Sequence, residues 1–256
     1  MPNLSISRAW TESAAFVARE ASLLLPVAFA FVGLPSVIFG QFTPEVVPGQ
    51  TPEPGAWMLL MIPMLLLSLL GGLTLNNLVL RPGISVGEAI RDGVPRMVPL
   101  IGAALLLMVA GAIATVPVLI VAALLSGGNV AAGAGIMLFL LMPIFLIVAI
   151  RMMFINPVAA METHGPVAML VRSWRLSRGH ALKLLVLLAA FLVILFAASI
   201  AASAIFGIAV TLTIGAPADE PISRLILELV SAMLSTVFSV YLATMIARLY
   251  AQISAD

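Results

Sequence analysis

The run "ALKLLVLLAAFLVILFAASIAASAIFGIAVTL", residues 181–212, carries one charged side chain, Lys183, and no proline. A helix needs about 20 apolar residues to cross the hydrocarbon of a bilayer, and this run exceeds that. Its apolar residues do not alternate with polar ones, as they would in the strands of a membrane β-barrel. The excess length leaves two readings: one tilted helix, or a helix that ends near Gly207 with a tail at the interface.

Working outward, five further runs of the same kind appear, at residues 21–40, 57–79, 98–125, 133–155 and 222–250. The whole chain of 256 residues is 62% hydrophobic and 9% charged. A soluble domain carries about 25% charged residues, so this chain could not cover a water-facing surface. The fold class expected is all-α: a polytopic membrane protein with six transmembrane helices in a single domain over residues 1–256. Ala28-Phe29-Ala30 imitates a signal-peptide cleavage site. However, Glu12 and Glu20 precede it and the apolar run continues to Phe39, so the first run reads as an uncleaved span.

Charge alternates between connectors. Of the 12 Lys and Arg, only Arg224 falls outside the N-terminus, the second connector, the fourth connector and the C-terminal end. Glu45, Glu53, Asp219 and Glu220 lie with Arg224 on the opposite side. The positive-inside rule then places both termini in the cytoplasm. The loop "QFTPEVVPGQTPEPGAW", 41–57, with Pro44, Pro48, Pro52 and Pro54, reads as an extended surface loop. "SGGNVAAG", 126–133, is short and uncharged.

Each connector on the basic side holds a short amphipathic stretch, expected as an interfacial helix. In the first, Ile6, Trp10, Ser13 and Val17 share a face. In the second, "SVGEAIRDG" opens with a capping box from Ser85 to Glu88 and should stop at Gly93. In the third, Pro166 suits a first helical position and Gly179 a stop, with Val167, Leu170, Val171 and Trp174 forming the apolar face. "SRAW" at 7–10, "IRDG" at 90–93 and "VRSW" at 171–174 align. They suggest a threefold repeat of interfacial helix plus helical hairpin over 5–80, 84–160 and 165–250.

Arg172, Arg175 and Arg178 concentrate positive charge around Trp174. Cations beside an interfacial aromatic ring suit an anionic leaflet, and the guanidinium fork matches phosphate. These four residues are the candidate site for a lipid headgroup or for a membrane-protein partner. Glu162 is expected to pair with Arg151, Arg172 or Arg175, Arg151 and Glu162 being the structural ion pair of choice. Asn76, Asn77 and Asn156 should cap helix ends or bond between helices. Glu88 and Asp92 read as a solvated face. In the sixth run, Arg224, Glu228, Ser231, Ser235 and Ser239 fall on one helical face. That face is either a packing surface or the polar lining of a solute path.

The stretch "RMMFINPVAAMETHGPVAMLVRSWRLSRGHALKLL", 151–185, resembles bacterial six-span proteins related to the membrane domain of glycerophosphoryl diester phosphodiesterases, and uncharacterised inner-membrane proteins of similar size. The residues carrying the resemblance are Arg151, Pro157, Glu162 and Gly165, then Arg172, Ser173, Trp174, Leu176 and Gly179. The resemblance implies a place in the bacterial inner membrane and a role at the bilayer. It implies no activity, because the phosphodiesterase chemistry belongs to a separate soluble domain.

No catalytic motif emerges. His164 and His180 lack a metal-ligand spacing. There is no phosphate-cradling Gly loop, G-x-S-x-G or H-E-x-x-H, and no Cys. Neither metal, cofactor nor nucleic acid is expected. The function expected is non-enzymatic binding of anionic phospholipid or a membrane partner at the cytoplasmic leaflet, in membrane homeostasis or complex assembly. The alternative is a small-solute or lipid transporter using the line from Arg224 to Ser239.

Overall fold

The computed structural model describes residues 5–43, 55, 57–216 and 220–254. The proposed extended loop with Pro44, Glu45, Pro48, Pro52, Glu53 and Pro54 lies outside the described residues, as does Asp219. All described secondary structure is helical: α1 (Ile6–Ala28), a π-helical segment (Phe29–Gly33), α2 (Leu34–Phe42), α3 (Trp57–Leu80), α4 (Val86–Leu125), α5 (Val130–Arg151), α6 (Ile155–Met161), α7 (Pro166–Leu176), α8 (Ala181–Thr213) and α9 (Pro221–Ser254). Six stretches are long and apolar enough to cross a membrane: Ile6–Phe42, Trp57–Leu80, Val86–Leu125, Val130–Met161, Ala181–Thr213 and Pro221–Ser254. The long run from 181 is a single helix that passes Gly207 and ends at Thr213.

Two of the expected interfacial helices are not separate elements. α1 runs through the π-helical segment into α2 without leaving helical conformation, because nothing between Trp10 and Glu20 breaks the helical period. α4 starts at the expected capping box, where the Glu88 N–H donates to Ser85 Oγ at 3.3 Å and the Ser85 N–H donates to Glu88 Oε2 at 2.8 Å. It does not stop at Gly93. A Cβ there would stand 3.3 Å from Leu70 Cδ1 and 3.5 Å from Leu73 Cβ, so the glycine serves close packing of α4 on α3 rather than termination. Only α7 is a free-standing interfacial helix, with Pro166 in its first turn and Gly179 at φ +80° just beyond its end. This difference between units leaves the threefold repeat unestablished.

α9 packs against α1, α3 and α8, and α3 packs in turn against α4 and α6. The π-helical segment sets the α1–α9 contact: a Cβ on Gly33 would lie 2.6 Å from Thr236 Oγ1. The start of α1 and the end of α9 lie at the same end of the bundle, where the Ser5 N–H donates to Gln252 Oε1 at 3.2 Å and the Arg248 guanidinium lies 5.0 Å from the centre of the Phe16 ring. Asn77 Nδ2 donates to the Ala89 carbonyl at 3.0 Å, joining α3 to α4, while Asn76 bonds within its own helix to the Gly72 carbonyl. The best-buried core, with Phe154, Val158, Met169, Leu184, Met245 and Leu249, gathers α6, α7, α8 and α9. Along the spans, large apolar side chains such as Leu59, Phe139, Phe145 and Leu212 are three-quarters exposed or more. An apolar exterior on this scale requires lipid around it.

Candidate functional site

The basic end of the bundle is built around the passage from α5 to α7. α5 ends at Arg151, residues 152–154 turn, and α6 carries the chain to Glu162. Glu162 and Gly165 are both extended, and Pro166 opens α7. Ser173 Oγ donates to the Arg151 carbonyl at 2.8 Å, so a buried hydroxyl satisfies one of the last acceptors of α5. Ser177 Oγ donates to the Trp174 carbonyl at 3.0 Å at the close of α7.

Glu162 is the hub. Arg172 Nε lies 3.0 Å from Oε1 and 3.2 Å from Oε2, Tyr250 Oη donates to Oε1 at 2.8 Å, and His164 Nε2 lies 3.4 Å from Oε2. The carboxylate therefore ties α7 to the C-terminal part of α9. Of the cations expected for Glu162, Arg172 takes the position. Arg151 does not pair with Glu162. Its guanidinium lies 5.1 Å from the centre of the Trp174 ring and reaches Ser177 Oγ at 3.5 Å, because the end of α5 faces the last turn of α7 while α6 carries Glu162 toward α9. Tyr250 was not legible as a partner: it lies 88 positions along the chain from Glu162.

The Arg172–Trp174–Arg175–Arg178 group is thus divided. Arg172 is held by Glu162, and the Trp174 ring by Arg151. Arg175 and Arg178 are exposed and have no side-chain partner among the described residues. α7 buries Met169, Ser173 and Leu176 against the bundle. On its outward face Val167, Val171 and Trp174 are exposed. The helix has an inner apolar face for the protein, an outer apolar face, and cations beside the latter.

A cleft of about 820 Å³ lies between the start of α4, the end of α6 and the approach to α7. Arg81, Arg91, Arg96 and His164 line it with Asp92 and Glu162. Arg81 Nη1 donates to Asp92, so Asp92 is an ion-pair partner rather than part of a solvated face. Arg96 Nη1 donates to the Ala159 carbonyl at 3.2 Å. In the sequence these arginines read only as topology signals. Arg91, Pro95 and Pro99 recur every four residues along one side of α4 with Arg96 beside them, but their convergence with Arg81 on 159–164 is tertiary.

At the far end, Arg224 Nε donates to Glu228 at 3.1 Å and Arg224 Nη2 to the Gly40 carbonyl at 2.7 Å and the Thr43 carbonyl at 3.3 Å. Gln41 Nε2 donates to Glu228 as well. These side chains clamp the end of α2 to α9. The remainder of the expected polar line does not face the interior: Ser231 and Ser235 are exposed, and Ser239 Oγ bonds back to the Thr236 carbonyl at 2.8 Å. The buried stripe is one position over, at Ala232, Thr236, Val240 and Thr244. Gly33 closely faces that stripe at Thr236.

Among the described residues, no three of His, Cys, Asp and Glu are grouped to hold a metal ion. No curated protein and no solved structure matches the chain. A family model described as "Domain of unknown function (DUF7847)" matches residues 4–253, and with nearly its whole length covered this six-span helical chain belongs to that family.

Proposed function

We propose that this protein is a non-enzymatic integral membrane protein that binds anionic phospholipid through its basic end, lying in the bacterial inner membrane with that end and both termini at the cytoplasmic leaflet. The observation that carries this reading is the outer face of α7, where Val167, Val171 and Trp174 are exposed beside the unpaired Arg175 and Arg178. An interfacial helix settles its apolar face at the acyl boundary and turns its cations to the headgroups. Each such cation contributes about 1 kcal/mol near an anionic leaflet, so two of them favour anionic over neutral lipid by about 2 kcal/mol, or roughly thirtyfold locally.

The test is lipid composition. The full chain is placed in nanodiscs of mixed phosphatidylglycerol and phosphatidylethanolamine, and the lipids released with it are weighed by native mass spectrometry. Wild type should be enriched in phosphatidylglycerol and Arg175→Gln/Arg178→Gln should lose most of the enrichment. Equal composition in the two proteins would refute the reading.

A further inference from the structure

The cleft beside α4 differs from the α7 surface in that its cations converge. Two of its ionic groups are already matched: Asp92 by Arg81, and Glu162 by Arg172, which approaches from α7. Arg91 and Arg96 are left over. Among the described residues Arg91 makes no side-chain hydrogen bond or close ion pair; its charge acts on the exposed Glu88, which does not line the cleft, and the bond from Arg96 goes to a neutral carbonyl at 3.2 Å. A guanidinium offers five N–H donors in a planar fork, so both retain most of their donors. Two cations at one cleft, neither bonded to a carboxylate among the described residues, repel each other, and an anion between them converts that repulsion into attraction.

The size and the rest of the wall narrow the anion. About 820 Å³ is far more than an inorganic ion needs and falls in the range of organic ligand sites. Pro95, Pro99, Met161 and Met169 give the remaining wall an apolar character. Methionine adapts to irregular apolar shapes. We infer that this cleft binds an organic phosphate ester, with the phosphate between Arg91 and Arg96 and the apolar body against Pro99, Met161 and Met169. The guanidinium fork matches phosphate oxygens in pairs. The inference rests on the reading that the basic end meets phospholipid for its natural source, a lipid headgroup. A water-soluble ester offers the same chemistry.

The experiment uses the full chain and the variants Arg91→Gln and Arg96→Gln, singly and together. Arg91 is exposed and makes no side-chain hydrogen bond among the described residues, so its replacement should leave the unfolding midpoint nearly unchanged. In one arm, protein purified through detergent and high salt, which strips loosely held lipid, is weighed by native mass spectrometry. In the other, delipidated protein is titrated with sn-glycerol 3-phosphate and inorganic phosphate. A single retained phospholipid, held roughly tenfold or more less tightly for each guanidinium removed, supports the inference with a lipid source. Binding of glycerol phosphate, weakened by the same variants, supports it with a soluble source. Wild type that holds neither, or variants that hold either as tightly as wild type, overturns it. The Arg175→Gln/Arg178→Gln protein separates the two readings: it should keep the tightly held ligand while losing the nanodisc enrichment. Loss of the cleft ligand with enrichment retained in wild type defeats only this inference.

Discussion

The two ends of the bundle both hold Arg–Glu pairs, and they use them differently. At the far end Arg224 and Glu228 are an i, i+4 pair on α9, and together they also bond to Gly40, Gln41 and Thr43 at the end of α2. At the basic end Glu162 is met by Arg172 and Tyr250, which does the same structural work between α7 and α9. There, however, Arg91, Arg96, Arg175 and Arg178 make no bond to a carboxylate among the described residues. The positive-inside pattern alone does not distinguish cations that hold the fold from cations left open to a ligand. The bonds do.

That contrast can be broken by substitutions, and the largest effect is expected at Glu162. Replacing it with Ala leaves the half-buried Arg172 guanidinium and the Tyr250 hydroxyl without their acceptor. Bonds to a charged group contribute about 1.5–3 kcal/mol, and partial exposure of Arg172 lowers this, so a loss of about 2 kcal/mol is expected. Denaturation of the reconstituted protein would measure it, with hydrogen exchange showing α7 released before the spans. A stability within error of wild type would mean that α7 is held by its apolar face alone.

Gly33 comes next. Gly33→Ala should destabilise by about 1–2 kcal/mol, since its Cβ would meet Thr236 Oγ1 at 2.6 Å. Thr236→Ala removes that oxygen, so the double variant should recover part of the loss. Strict additivity in the double-mutant cycle would assign the loss to the Phe29 ring, whose Cδ2 the new Cβ would meet at 2.5 Å, and not to Thr236. At the far end, Arg224→Ala should cost about 1 kcal/mol and leave the lipids bound to the protein unaltered. A shift in lipid composition from this variant would erase the distinction between the ends. Smallest in stability is Arg175→Gln/Arg178→Gln, within about 0.5 kcal/mol of wild type, because neither side chain bonds to the protein.

Much of this architecture could be read from the chain because it depends on local pattern. Apolar runs fix the six spans, the Ser85–Glu88 spacing fixes the start of α4, and Pro166 with Gly179 brackets α7. Gly93 misled because a glycine that ends a helix and one that lets two helices touch look alike until the neighbour is known. The direction in which the polar line of α9 faces was not legible for a related reason. A helix wheel gives relative faces but not which face turns inward, and the buried stripe at Thr236 faces a residue 203 positions away, Gly33. Tyr250 and the cleft were out of reach because their members come from separate helices whose meeting is tertiary. Arg172 was legible as a partner for Glu162 because the two are only ten residues apart.

The central claim is that cations at the basic end, and not those at the far end, select anionic lipid. The most direct measurement compares the phosphatidylglycerol share of lipids released from nanodiscs by three folded proteins: wild type, Arg175→Gln/Arg178→Gln and Arg224→Gln. The account predicts enrichment in wild type and in Arg224→Gln, and its loss in the basic-end variant. Enrichment that survives in the basic-end variant, or that falls equally in both variants, would contradict it.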